Sequence, residues 1–490
     1  MSRRLKIGSG LGVLALGAAL FVPGPTPDVD PPPHHPFVWG QDDLWARLEA
    51  RFDAARERGC ASSDPAIEAG LAGLDDTLAG IEGAELGPAD ARWDTLEAQL
   101  FEVAPLLGAC PARVPALLER ASRMRRAVKD QSVRWDVRGD REARDTLYRL
   151  LYGARAAVEE LLLQMPEGEA PSVTHGVAEP SEAPSFTYRG VTLHSGDVLL
   201  SRGGAPTSAL IARGNDYPGN FSHVALLHVS EDGTPTVVES HIESGVGAFT
   251  AERYLEDTKL RILVLRLRAD HPALEGDPGL PHRAATAQLE AARAGHIPYD
   301  FAMDYGDPSE MFCSEVASAA YAREGVELWR GLSTLGGEGL SRWLGAVGVR
   351  HFETQAPSDL EYDPQMRVVA EYRDPETLFS DHVDNAILDV LLEGAEAGEE
   401  LEVDVARLPL ARLAKAYSWV LNRFGAVGPI PENMSAATGL RVESLRQRHA
   451  AVREGLDRRI ADYRETHGRR PPYWTLVRLA RESKAALSGN

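Results

Sequence analysis

Residues 307–325 read DPSEMFCSEVASAAYAREG, and the rest of the chain is organised around this stretch. Its small apolar residues recur at helical spacing and end at Gly325, which predicts a helix that begins near Met311. Cys313 then lies in the first turn, where unpaired N–H groups and the positive end of the dipole favour a thiolate and can hold an oxyanion. The alternative is a packing role beside Phe312, because free cysteine is among the most buried residue types.

Length and composition describe a folded protein with more than one domain. The chain has 490 residues, of which 43% are hydrophobic and 26% are charged, so two or three domains are expected. The net charge of −21 argues against nucleic acid or an anionic membrane surface as the main partner.

Residues 1–22 have the pattern of an export signal or a signal-anchor. Basic residues precede an apolar run from Ile7 to Val22, which is short of the about 20 residues that a membrane-spanning helix needs. No clean cleavage site follows, so a single uncleaved anchor through residues 7–22 is the alternative to a cleaved signal. Both interpretations place the body of the protein outside the cytoplasm, in the periplasm or cell envelope.

Three cysteines fit an oxidising compartment. Cys60 and Cys110 can pair within the N-terminal region and leave Cys313 as the odd free thiol. The alternative is that all three are simply buried.

Hydrophobic periodicity divides the rest of the chain into helical and mixed regions. The strands come before the helices in the middle region, which predicts an α+β fold rather than a doubly wound sheet. The predicted regions are a proline-rich linker over 23–41, a helical bundle over 42–166, a second linker over 167–188, an α+β domain over 189–374 and a helical region over 375–490.

A cysteine nucleophile needs a base within hydrogen-bond reach and a third group that orients the base. The candidate base is His223, at the start of the predicted strand FSHVALLHV. The next predicted strand, TPTVVESHI, contains Glu239 and His241 on one face. We therefore expect Glu239 to orient His223, with His241 as the alternative orienter. A zinc site built from these side chains and Cys313 is conceivable, but no compact ligand-spacing motif supports it.

The register of these two strands decides whether the candidate residues meet. A two-residue turn at Asp232-Gly233 would send His223 and Glu239 to opposite faces. A five-residue loop over 230–234 would instead set Glu239 opposite Ala225 and diagonal to His223. The catalytic interpretation therefore requires the five-residue loop or another loop of odd length.

Several short motifs, in this order, resemble the circularly permuted NlpC-type, papain-like cysteine hydrolases, in particular the YiiX-like amidase group. The motifs are GDVLLSR (196–202), FSHVALL (221–227), VVES (237–240), PYDF (298–301) and FCSEVASAAY (312–321). The resemblance covers about residues 191–374. It implies Cys313 as nucleophile, His223 as base and Glu239 as orienter.

In addition to the three residues that the resemblance implies, Tyr299 and Ser314 are candidate substrate-binding or oxyanion residues. The helical regions on either side of the domain have no counterpart in the minimal fold.

The function expected from these observations is an exported cysteine hydrolase that cleaves amide bonds in cell-wall peptides, with no cofactor and no metal. Its expected partner is a peptide or acylated envelope substrate. One alternative is an acyl or lipid hydrolase or acyltransferase on the same fold, as in the lecithin–retinol acyltransferase group. A second alternative is a non-catalytic module that binds an envelope component.

Overall fold

A computed structural model describes residues 21–24, 33, 35–257 and 259–488. The predicted signal or anchor lies almost wholly outside the described residues, as does much of the first predicted linker. Within the described ranges, no helix is both long enough and apolar enough to cross a membrane.

The N-terminal helical region forms as the sequence predicts. Asp90 and Asp140 each cap a helix by accepting a hydrogen bond from a backbone N–H two residues later, at 3.0 Å in both cases. A disulfide joins Cys60 to Cys110, with 5.3 Å between the Cα atoms. The helices are α1 (Gln41–Arg58), α2 (Cys60–Glu82), α3 (Ala91–Ala109), α4 (Pro115–Ser132) and α5 (Arg141–Gln164).

A fully antiparallel sheet of seven strands lies at the centre of the middle region, in the order β1-β11-β8-β4-β5-β6-β7. Two smaller two-stranded sheets pair β2 with β3 and β9 with β10. The strands are β1 (Val173–His175), β2 (Ser185–Tyr188), β3 (Val191–His194), β4 (Val198–Gly203), β5 (His223–Val229), β6 (Pro235–His241), β7 (Gly245–Thr250), β8 (Lys259–Leu267), β9 (Ser333–Thr334), β10 (Glu353–Thr354) and β11 (Met366–Tyr372).

The loop between β5 and β6 has five residues, 230–234, which confirms the odd-length alternative. Val229 pairs with Pro235 across the loop, and Ala225 pairs with Glu239. The side chains of β5 and β6 therefore alternate in phase, and Glu239 lies diagonal to His223.

The remaining helices surround the sheet and extend to the C-terminus. The helices predicted around Cys313 and beyond residue 375 are present. They are α6 (Pro206–Arg213), α7 (Ala251–Glu256), α8 (Leu280–Ala294), α9 (Cys313–Arg323), α10 (Glu338–Val347), α11 (Asp359–Tyr362), α12 (Pro375–Glu396), α13 (Leu408–Asn422), α14 (Ala436–His467) and α15 (Tyr473–Ser488).

Helix α9 is anchored by its apolar side against one face of the sheet. Val316, Ala317 and Ala320 are fully buried and belong to the same hydrophobic cluster as Val224 and Leu226 of β5. Burying a valine or leucine side chain of this kind stabilises the fold by about 1.5–3 kcal/mol. The contact fixes α9, and with it Cys313, relative to the strand that begins at His223.

The two predicted linkers are partly structured, so the linker assignment is wrong for several of their residues. Within 167–188, β1 pairs with β11 and β2 pairs with β3. Within the described part of 23–41, the Phe37 N–H donates to the carbonyl of Asp216 at 2.9 Å. β1 and the Phe37 segment gain their structure from partners far along the chain, whereas β2 forms a local hairpin with β3. The hydrophobic period of such short segments is too brief to reveal either arrangement.

Candidate active site

Cys313 is the first residue of α9, directly after the N-cap residue Phe312. Its side chain is buried, and Sγ lies 3.9 Å from the carbonyl oxygen of Ser222. Ser240 of β6 donates a hydrogen bond to the carbonyl of Met311 at 2.6 Å. This bond links the residue before the N-cap of α9 to the sheet. The thiol is therefore held where β5 begins.

His223 lies between Cys313 and Glu239. Its Nε2 is 2.6 Å from Oε2 of Glu239, so Nδ1 is the ring nitrogen left for the thiol. Burial lowers the pKa of His223, but hydrogen bonds to Cys313 and Glu239 outweigh burial and raise the pKa to about 9. The imidazole is therefore protonated at neutral pH.

Glu239 is hydrogen-bonded to His223 and also contacts His241. Its Oε1 lies 3.0 Å from Nε2 of His241, and its side chain is buried. Burial raises the pKa of Glu239, but the contacts with His223 and His241 outweigh it and hold that pKa well below its usual range. The carboxylate is therefore ionised and fixes His223 from the side opposite the thiol.

His241, the alternative orienter, contacts Glu239. Its ring centroid is 5.7 Å from that of His223 and 5.0 Å from that of Phe249, which it meets edge to face. His241 therefore helps to fix the carboxylate of Glu239, which in turn orients His223.

The two candidate oxyanion residues, Tyr299 and Ser314, differ in their surroundings. Burial raises the pKa of Tyr299, and the neighbouring Cys313 and Asp300 raise it further, so the phenol keeps its proton. The Ser314 hydroxyl is buried and has no hydrogen-bond partner among the described residues. Tyr299 therefore remains a hydrogen-bond donor, and the backbone N–H of Ser314 lies in the first turn of α9.

Glu315 has a role that the sequence did not reveal. Its Oε2 accepts from the backbone N–H of Phe312 at 3.1 Å, and its Oε1 accepts from that of Gly306 at 2.8 Å. One carboxyl group therefore caps α9 and holds the preceding loop. The glutamate three residues after the N-cap is the capping-box signal that could have identified this role.

Two further neighbours of the site come from distant parts of the chain. Burial raises the pKa of Tyr254 in α7, and the charge of Glu239 raises it further, so this phenol keeps its proton. Asn433, between α13 and α14, donates from Nδ2 to the carbonyl of Tyr299 at 3.1 Å. Neither residue belongs to a motif, so no signal in the sequence connects it with the site.

The site thus combines a buried thiol at a helix N-terminus, an imidazolium and a buried carboxylate, which are the residue types that cysteine nucleophilic catalysis uses. Residues 192–370 match the permuted papain-like amidases. The description of that family is "Permuted papain-like amidase enzyme, YaeF/YiiX, C92 family". No curated protein and no solved structure matches the chain.

The match covers a little over a third of the chain. It begins within β3 and ends within β11, so the permuted papain-like domain contains Cys313, His223 and Glu239. Helices α1–α5 and α12–α15 lie outside the match and flank the domain on both sides. The family indicates amidase or peptidase chemistry for this domain.

Proposed function

We propose that the protein is a cysteine hydrolase that cleaves amide bonds with a triad of Cys313, His223 and Glu239. The observation that supports this most is the position of His223, whose Nε2 is hydrogen-bonded to Glu239 and whose pKa is raised by the neighbouring Cys313 as well as by Glu239. A structural histidine needs only one such partner.

The reaction begins with the thiolate of Cys313 and the imidazolium of His223. The sulfur attacks the amide carbonyl carbon, a C–S bond forms, and the carbonyl electron pair moves to oxygen. His223 then gives its proton to the amide nitrogen, the C–N bond breaks, and the amine leaves. Neutral His223 next takes a proton from water, whose oxygen attacks the thioester and releases the carboxylic acid and the thiolate.

The negative oxygen of the tetrahedral intermediate needs hydrogen-bond donors. The backbone N–H groups of Cys313 and Ser314, the first two residues of α9, come before the first hydrogen bond of the helix. The helix dipole adds a positive potential at the same point. The protonated Tyr299 is a further donor of suitable chemistry beside Cys313.

The disulfide supports an exported location, because such bonds persist in oxidising compartments and are rare in the cytosol. With the basic and apolar N-terminus, this leads us to propose a periplasmic or envelope protein with a cell-wall peptide as substrate. The uncleaved N-terminal anchor belongs to the same proposal.

The first test measures the rate of iodoacetamide alkylation of Cys313 against pH. We expect rapid alkylation of the native protein below pH 8, where an ordinary thiol of pKa about 8.5 is slow, and loss of this advantage in His223→Ala. His228→Ala is the matched control, since His228 lies on the same strand, faces the other way and stacks on His282. Ordinary thiol behaviour in the native protein would contradict the triad.

The second test measures amines released from purified cell-wall sacculi. The native protein should release them, whereas Cys313→Ala and His223→Ala should not. If the alkylation test succeeds but no amine is released, the proposed triad is supported and the proposed cell-wall substrate is wrong. Acylated peptides and phospholipids would then be the next substrates to assay.

A further inference from the structure

Helix α13 presents an apolar stripe to the outside of the molecule. Leu410, Leu413, Tyr417 and Val420 recur at intervals of three and four residues, which places them on one side of the helix. All four are exposed, Leu413 at 69%. Phe424 and Val427, just beyond the helix end, are also exposed. Soluble monomers rarely expose so many adjacent apolar side chains unless the surface binds something.

The charge of this segment is opposite to that of the whole protein. Residues 408–430 contain Arg412, Lys415 and Arg423 and no aspartate or glutamate, although the chain carries a net charge of −21. Arg412 and Arg423 are separated by about three helical turns and so lie on the same side, next to the apolar stripe. The segment is therefore locally basic although the whole chain is acidic and Glu432 lies beside Lys415. Screening makes such local charges the relevant ones.

The end of the N-terminal apolar run lies against the same helix. The Arg412 guanidinium donates to the carbonyl of Val22 at 2.7 Å, and Phe21 and Val22 are themselves exposed. An N-terminal segment that inserts into a bilayer would therefore leave the bilayer beside the stripe of α13.

We propose that α13 lies in the surface of an anionic phospholipid bilayer, with its apolar stripe in the acyl boundary and its arginines at the headgroups. Basic residues beside an apolar helix face, with tyrosine and tryptophan near the boundary, are typical of interfacial helices. A second copy of the chain fits this surface less well, because a symmetric pairing would bring the arginines of the two copies together.

The docked helix would hold the segments next to His241 and Tyr299 close to the membrane. Leu408 and Ile430, at the two ends of the α13 segment, share a hydrophobic cluster with Ile242 and Phe301. Ile242 follows His241, and Phe301 meets Tyr299 edge to face at 5.0 Å. Docking itself does not depend on the chemistry at Cys313, so the two proposals fail separately.

Trp419 lies on the same side of α13 as Arg412 and Arg423, at the headgroup edge of the docked helix, and makes the proposal testable in the full-length protein. It is 65% exposed, and it is the one exposed tryptophan among the described residues, which include all eight in the chain. Residues 1–20 contain no tryptophan, so insertion of the N-terminal segment alone gives no tryptophan signal.

The experiment mixes the full chain with vesicles of phosphatidylglycerol and phosphatidylcholine that carry bromine near the top of the acyl chains. We expect bromine to quench the tryptophan fluorescence of the native protein, and Trp419→Phe to abolish most of this quenching while the protein still sediments with the vesicles. Native protein that sediments without quenching, or quenching that is unchanged in Trp419→Phe, would overturn the proposal.

A second comparison tests the stripe itself. The double variant Leu413→Glu, Val420→Glu should need about tenfold more lipid, or more, than the native protein to reach half of the maximal quenching. Added salt should also raise the lipid concentration that the native protein needs. Leu487→Glu is the matched control, because Leu487 is an exposed leucine on α15 and its replacement should change nothing. A native dimer that the double variant dissociates, with no quenching by bromolipid, would show that a second copy covers the stripe and would overturn the proposal.

Discussion

At the scale of the residue, Glu239 lies between two imidazoles and governs the charge of one of them. Its carboxylate is 2.6 Å from Nε2 of His223 and 3.0 Å from Nε2 of His241. A buried carboxylate without such partners would take up a proton, because burial disfavours the charged form. The two histidines keep it ionised, and the ionised carboxylate in turn favours the imidazolium form of His223.

This reciprocity predicts the effect of Glu239→Gln on the titration of His223. The native pKa of about 9 results from hydrogen bonds that outweigh burial, so removing the carboxylate should lower it by at least about one unit. The measurement is the ¹⁵N-NMR titration of the imidazole, assigned by comparison with His223→Gln. His228→Gln should leave the His223 titration unchanged, and an unshifted titration in Glu239→Gln would contradict the assigned role.

The same shift has a consequence for stability. The folded pKa of His223 lies above its ordinary value of 6.5, so the stabilisation that comes from its proton is complete below about pH 6.5. It is lost as the pH rises through about 9.

At the scale of the element, α9 depends on Glu315 for its first turn. Burial raises the pKa of this carboxyl to about 8, more than its contacts with the N–H groups of Gly306 and Phe312 lower it, and Asp300 adds to the rise. Its stabilisation is therefore complete below the ordinary pKa of 4.5 and declines as the pH rises through about 8.

We therefore expect Glu315→Ala to destabilise the protein by about 1–3 kcal/mol at pH 5, because two backbone N–H groups lose their acceptor. The loss should be smaller at pH 9. Urea unfolding at the two pH values measures both effects. Glu290→Ala, at an exposed position of α8, is the control and should change the unfolding free energy by less than about 0.5 kcal/mol. Equal losses at both pH values would contradict the assigned pKa.

At the scale of the whole molecule, a buried ionic network joins the bundle, the sheet and the C-terminal helices. Arg155 of α5 binds Glu361 of α11 with its Nε at 2.6 Å and also contacts Glu371 of β11. Arg261 of β8 binds Asp381 of α12 at 2.6 Å. All of these side chains are almost completely inaccessible to solvent.

Hydrophobic clusters cross the same boundaries. One cluster contains residues of both the bundle and the sheet, and a second contains Val158 and Leu162 of α5 together with residues of α12, α14 and α15. The permuted papain-like domain therefore shares cores with both of its flanking regions.

Arg155→Ala should consequently destabilise the whole molecule. Removing Arg155 leaves Glu361 buried without its ion-pair partner, which typically costs about 3–5 kcal/mol, whereas Glu371 keeps its pair with Arg373 at 2.5 Å. Arg149→Ala on the same helix is the matched control, because Arg149 pairs with the exposed Asp94 and such surface pairs contribute about 0–1 kcal/mol. Denaturant unfolding followed by circular dichroism distinguishes the two, and equal effects would contradict a structural role for the buried network.

The sequence alone determined the elements whose signals are local. The helix that carries Cys313, the strands that carry His223 and Glu239 and the two flanking helical regions all follow from hydrophobic period, caps and turn residues. These features depend on residues a few positions apart, so a single chain contains enough information to recognise them.

Tertiary structure decided what depends on residues far apart in the chain. Sequence left two registers open for β5 and β6, and the five-residue loop places Glu239 diagonal to His223. It predicted a linker where β1 pairs with β11, and it gave no sign that Asn433 reaches Tyr299. Strand register and long-range packing are selected by the free energy of the whole fold, which depends on residues far apart in the chain. A pattern a few residues long therefore cannot predict them.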